Sequence, residues 1–305
     1  DRSLVLVEDR AEGETWYRLL ETVRLYAREK LLAAKEEDAV RRRHRDWYLQ
    51  FVEHAERELQ GPALERWLER LEAEHDNLRA ALEYCKTAEP DPEYGLRLAG
   101  SIWHFWEVRG YLTEGREWLE SVLTKGSDLM TTARVKALNG AGMLALVQGD
   151  FPRAVALGEE SLELGRQLGD KRGIASCLNI LGIVAWDRRA YAHAAGLFLE
   201  SLALRQALQD RRGITTSLTG LGVVAATLGQ AERAGVLLGA ADALREALGL
   251  PPPPFIRDDY DRLVAGVRDA LGETRFTEAW QRGWGMTIDE AIDFARPIAA
   301  ARTQS

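Results

Sequence analysis

The sequence is poor in the residues that metal centres and disulfide frameworks need. Cys85 and Cys177 are the only cysteines in 305 residues. Both fall in stretches of helical periodicity and read as small buried apolar side chains in a reducing compartment, not as a disulfide. The five histidines, His44, His54, His75, His104 and His193, include no pair at ligand spacing and no HExxH, so no metal site is expected. His75 sits on an apolar seam and reads as a hydrogen-bonded packing residue. No apolar run approaches the roughly 18 residues of a membrane span, and no signal-peptide pattern opens the chain. The expectation is a cytoplasmic protein with no membrane partner. A net charge of −8 argues against direct nucleic-acid binding. No Ser-His-Asp or Cys-His arrangement can be assembled, and Glu159-Glu160 and Glu72/Glu74 read as helix surface. Neither an enzyme nor a cofactor is expected.

What the chain does have is repetition. Residues 133–170, 173–210 and 213–249 align as three copies, with Gly142, Gly182 and Gly222 each 40 residues apart, as are Ala154, Ala194 and Ala234. A fixed period in this range marks stacked structural repeats. Within the first copy, Val135, Leu138, Ala141, Leu144 and Ala145 fall at helical spacing over 133–148. Gly149-Asp150 breaks that helix; Asp150 is placed to cap the next, over 153–168, with Pro152 in its first turn. Each copy is therefore a helical hairpin, with small residues where its two helices come close. "GRQLGDKR" at 165–172 lacks the Gly and Ser/Thr that flank the lysine of a phosphate loop; it recurs 40 residues later as "RQALQDRR" and reads as the inter-repeat turn.

Before the copies, residues 3–9 and 14–20 read as two short strands around Gly13, followed by a helix over 21–35. Such a hairpin cannot make a stable sheet by itself, and residues 1–32 are expected to be the tail of a preceding domain, with Leu4, Leu6, Tyr17 and Leu19 partly exposed. Two long helices are expected over 40–59 and 63–86, with "RRRHR" at 41–45 as a solvated helix start. A hairpin over 94–125, rich in tryptophan, reads as a degenerate first repeat. After the four prolines 251–254 come helices over 257–271, 274–284 and 288–295, the last opened by a capping box at Thr287 to Glu290. The division is thus 1–35, 36–93 (linker or capping hairpin), 94–249 (repeats 94–125, 133–170, 173–210 and 213–249) and 250–305 (capping helices and tail).

The pairing of a small residue in the first helix, Gly-Asp-aromatic at the turn and Ala in the second helix resembles the tetratricopeptide pattern, though with a period longer than the usual 34 or so. "YRLLETVRLYAREKL" (17–31), "LEAEHDNLRAALEY" (71–84) and "FWEVRGYLTEGREWLESVL" (105–123), in that order before the repeats, resemble the C-terminal half of bacterial STAND-class signalling ATPases, including LuxR-type and SARP-type transcriptional regulators. The resemblance implies an all-α helical-hairpin solenoid preceded by a β-hairpin remnant of a winged helix. It also implies a nucleotide-binding domain in cis, which this sequence lacks.

In tetratricopeptide repeats the first helix of each hairpin lines the concave surface. Candidate effector-binding residues are then Lys136, Asn139 and Met143 from the first copy. The second supplies Ser176, Asn179, Ile183 and Trp186, and the third Thr216, Thr219 and Val223. The degenerate repeat adds Arg97, His104 and Glu107. Asn139 and Asn179 could hold an extended peptide backbone, or could bond only to a neighbouring helix. The leading reading is a sensor and protein-interaction arm that binds a peptide, protein or small-molecule effector; its rival is a constitutive scaffold.

Overall fold

The computed structural model describes residues 5–9, 15–59, 61, 63–250 and 257–296, with the side chains of 5–9, 15–18 and 257–259 outside it. Two strands, β1 (Val5–Asp9) and β2 (Thr15–Leu19), pair antiparallel with Val5 opposite Leu19. Helices follow: α1 (Glu21–Ala34), α2 (Glu37–Glu58), α3 (Leu64–Ala73), α4 (His75–Thr87), α5 (Glu93–Arg109) and α6 (Leu112–Lys125). The repeat copies supply α7 (Thr132–Val147) with α8 (Phe151–Leu168), α9 (Lys171–Asp187) with α10 (Tyr191–Ala207), and α11 (Arg211–Thr227) with α12 (Ala231–Ala247). The chain then forms α13 (Arg257–Leu271), α14 (Glu273–Trp284) and α15 (Ile288–Ala295). The result is a helical-hairpin solenoid. Of the residues expected to be exposed at the start, Leu19 is exposed; Leu4 and the side chains of Leu6 and Tyr17 lie outside the described residues.

Local chemistry sets the helix starts. The carboxylates of Asp150, Asp170 and Asp210 accept from the backbone N–H of Arg153, Gly173 and Gly213, each occupying one of the donors a helix start leaves free. Thr287 and Glu290 form the expected reciprocal capping box on α15. Helix ends differ between copies. Gly149 and Gly229 close the first helix of the outer copies in the left-handed region, where the middle copy has Arg189 at φ 61. Likewise Gly169 and Gly249 close the second helix, where the middle copy has Gln209 at φ 54. A Cβ in that region costs roughly 1–2 kcal/mol.

Buried side chains form an N-terminal group around Leu71, Phe105 and Trp106 and a C-terminal group around Phe198, Leu221 and Leu238. Ala145, Ala154, Ile180 and Val184 form a smaller group in the adjoining first and second copies. Both cysteines are free and buried, and burial pushes the thiol of Cys85 up to about 11 and that of Cys177 up to about 12. At the far end α14 packs on α12 almost backbone to backbone. A Cβ at Gly239 would lie 2.5 Å from the Trp280 carbonyl oxygen, and one at Gly283 would collide with the Val236 carbonyl.

Two expectations fail in the N-terminal part. The single helix expected over 63–86 breaks at Glu74, which has φ −97 and ψ 7. Tyr48 of α2 donates to the Glu74 carboxylate at 2.5 Å. The adjacent His75 ring is held between Phe105 and Tyr111, with Nε2 3.0 Å from Glu114. Tertiary bonds at neighbouring residues thus override a continuous helical pattern. The run at 41–45 is not wholly solvated either. Arg42 and Arg43 are exposed, but Arg45 is buried, its guanidinium 3.6 Å from the centre of the Tyr94 ring and ion-paired to buried Glu89. Glu89 lies in the turn before α5, and it supplies the partner that a buried charge requires.

Arg189→Gly and Gln209→Gly should each stabilise the protein, by about 0.5–1 kcal/mol after the entropic cost of glycine is subtracted from the relieved strain. Urea denaturation of the two single variants measures this. Loss of stability in both would show that the left-handed turns of the middle copy carry no strain.

Candidate functional site

The first helices of the hairpins, α5, α7, α9 and α11, lie side by side and carry the thirteen candidate residues. Met143, Ile183 and Val223 form a half-buried apolar row at one phase of three successive helices. Ser176 and Thr216 turn their hydroxyls back onto the carbonyls of Arg172 and Arg212, and Thr219 does so onto Thr215. The Trp186 indole N–H donates to Thr227 of the next copy at 3.0 Å.

The asparagines are not offered to a groove. Asn139 is 7% exposed and Asn179 is 2% exposed. The Asn139 amide donates to the Gly173 carbonyl at 3.0 Å and accepts from Ser161 Oγ at 2.9 Å. One side chain of α7 thereby ties its own hairpin partner α8 to the first turn of α9. Asn179 is bonded differently: its Oδ1 accepts at 3.1 Å from Ser217 of the next copy, while Ser201 of its own hairpin donates to the Ala175 carbonyl and the Asn179 Nδ2 is buried without a partner. Arg205, where the first copy has Gly165, places its guanidinium against Gly213, bonding Ser201 at 3.1 Å and Asp210 at 2.8 Å. A buried amide is held by whichever backbone partners its neighbours leave free, and here those partners are inside the stack.

The charged candidates are engaged by the protein's own groups. Arg97 pairs with Glu53 of α2 at 2.6 Å, and Lys136 pairs with Glu56 at 2.8 Å. Ser101 also donates to Glu56, at 3.2 Å. Further in, Arg212 at the start of α11 donates Nη1 to the Leu59 carbonyl at 2.8 Å, and its Nη2 lies 2.7 Å from His104 Nε2. A guanidinium can only donate, so His104 Nε2 accepts and the ring proton sits on Nδ1. That nitrogen is 2.7 Å from Glu107 Oε2. The order is therefore Arg212 to His104 to Glu107, a polar chain joining the third copy to the degenerate repeat. Glu107 is 7% exposed and was expected on the open face; the chain explains its burial. Burial lowers the Arg212 pKa, with the Glu107 and Asp210 carboxylates opposing the shift.

Arg212 and its acceptor Leu59 were not among the expected site residues. Their separation of 153 residues leaves no local trace in a sequence. The only available signal was that Arg172 and Arg212 share a phase at the mouth of successive copies.

Asn139→Ala should cost about 1–3 kcal/mol, the penalty for the buried Gly173 and Ser161 groups it would strand. Asn179→Ala should cost less, because its N–H is already unpaired and Ser217 retains Ser201 at 3.2 Å. Urea midpoints of the two variants decide between them; equal losses would mean that the two amides are bonded alike.

No helix among the described residues is long and apolar enough to cross a membrane, and no group of three or more potential ligand residues among them could hold a metal ion. Residues 134–207 match the tetratricopeptide repeat family. The chain is 35% identical over 189 residues to proteins named "Putative HTH-type transcriptional regulator" from Mycobacterium tuberculosis (strain ATCC 25618 / H37Rv) and Mycobacterium bovis (strain ATCC BAA-935 / AF2122/97). The match takes in 58% of this chain and 21% of each relative, so it spans about a fifth of their length. Among solved structures, BtubC (BKLC) from P. vanneervenii aligns with a TM-score of 0.49 and 18% identity, over 80% of this chain and 93% of that one. Residues 134–207 are thus similar to tetratricopeptide repeats, and the chain resembles part of bacterial proteins named as transcriptional regulators.

Proposed function

We propose that this chain is the sensor and protein-interaction arm of a STAND-type ATPase regulator. Its concave face takes an effector, and its N-terminal end restrains a nucleotide-binding domain in cis. The observation that carries the reading is the Arg212 bridge to Leu59 and His104. A constitutive scaffold needs an open groove, whereas here a polar clasp made by the protein itself ties α11 to the end of α2 and to α5. An effector that satisfies Arg212 better than Leu59 and His104 do would exchange one set of bonds for another, and differential affinity of this kind is what shifts a two-state equilibrium.

The domain division fits this reading, with 36–93 as a capping hairpin and 94–249 as the repeat array. The N-terminal end supports it as well. In this reading the β1–β2 hairpin and α1 are the end of a winged helix. α1 buries none of its residues, and Leu25, Tyr26 and Leu32 are more than half exposed, an apolar surface suited to packing on another domain. Arg97, His104, Lys136 and Arg212, with the Met143–Ile183–Val223 row, are the groups we assign to effector contact. The scaffold reading retains the tetratricopeptide match in its favour and differs in having no closed state.

In the intact regulator, Arg212→Met should open the arm and raise basal nucleotide hydrolysis severalfold. Small-angle scattering on this chain alone should show a larger radius of gyration for the same variant. An opened arm with unchanged hydrolysis would favour the scaffold; an unchanged radius would remove the clasp from the mechanism.

A further inference from the structure

A second, separate feature lies at the C-terminal end of the stack. Where the turn between α11 and α12 meets α13, α14 and α15, the surface sinks into a depression of about 700 Å³, within the size range of small-ligand sites. Its lining includes three arginines, Arg233, Arg275 and Arg282, and one carboxylate, Glu232. That is a local excess of two positive charges in a chain whose net charge is −8.

The arginines are poorly neutralised. Arg275 reaches Glu232 only at 3.5 Å, and both side chains are at least 60% exposed. Arg233 and Arg282 both lie against the Phe294 ring, 5.4 and 5.0 Å from its centre. Among the described residues neither has a carboxylate partner. The ring attracts each cation but neutralises neither, so both add positive charge to one depression that an anion there would offset. The start of α12 opens on the same depression. Its N-cap residue Gln230 makes no side-chain cap bond, so the first backbone N–H groups add their partial positive charge.

We propose that this depression is a binding site for a phosphate group, carried by a small phosphate monoester. Guanidinium forks match phosphate oxygens in pairs, and the unbalanced charge of two suits a dianion better than a single carboxylate. Phe294 gives the site an apolar wall beside the arginines, which an organic monoester could use and inorganic phosphate could not. The site is independent of the concave face, and its failure would leave the sensor reading untouched.

Calorimetric titration of the whole chain at neutral pH and low ionic strength tests the assignment, with inorganic phosphate, phenyl phosphate and acetate as probes. Phenyl phosphate should bind at least tenfold more tightly than inorganic phosphate, and acetate more weakly than either. Arg233→Gln and Arg282→Gln should each weaken phenyl phosphate at least tenfold while circular dichroism stays helical. Should either variant unfold, Arg275→Gln, which leaves the Phe294 contacts in place, should still weaken binding severalfold. Equal binding by wild type and Arg275→Gln, or no binding of any phosphate at millimolar concentration, would overturn the proposal. Acetate binding as tight as phenyl phosphate would make the site a carboxylate site and overturn the assignment to phosphate.

Discussion

The Asn139 amide joins three helices with two hydrogen bonds, one from Ser161 of its own hairpin and one to Gly173 of the next. Stacked hairpins owe most of their stability to apolar burial, which is non-directional and tolerates sliding. A buried amide does not tolerate it, because a shift of one residue would strand both of its partners. The contact therefore sets how α8 and α9 meet α7, and so the step from the first copy to the second. In the second copy the Asn179 oxygen accepts instead from Ser217 of α11, and Arg205 bonds to Ser201 and Asp210 beside it. In the third copy Thr219 takes the asparagine position, and its hydroxyl donates to its own helix. The helices that follow are α13 to α15, and α14 meets α12 through glycine-permitted backbone contact in place of an amide bridge.

Much of the fold could be read from the sequence because its causes are local. The 40-residue phase of Gly142, Gly182 and Gly222, the capping carboxylate of Asp150 and the Thr287–Glu290 box each act within a few residues of their own position. The break at Glu74 could not be read, since no glycine or proline marks it. It comes from Tyr48, 26 residues away, and from the aromatic rings around His75. The repeat phase of the candidate residues was legible, but their bonding was not. Helical spacing aligned Asn139 with Asn179, and only the packed neighbours, Ser161, Gly173 and Ser217, show that the amides are held inside the stack. Arg45 shows the same limit. In the sequence it is one of four arginines in a basic run, and its burial depends on Glu89 and Tyr94, which arrive from the turn before α5 and from α5 itself.

The Arg212–Leu59 bond changes what kind of object this solenoid is. In a simple repeat array each unit touches only its neighbours, so the ends can melt while the middle survives, and stability is close to a sum over adjacent pairs. A bond between residues 153 apart adds a tie that skips the intervening units and closes a loop through the array. Fraying from the α2 end then cannot proceed independently of α11, and melting acquires an all-or-none character that neighbour-only coupling would not give. The same tie carries strain in the other direction: a small change of curvature between any two copies inside the loop must be taken up at its single polar junction. Mechanically, the array is less a spring with free ends than a bow held by its string.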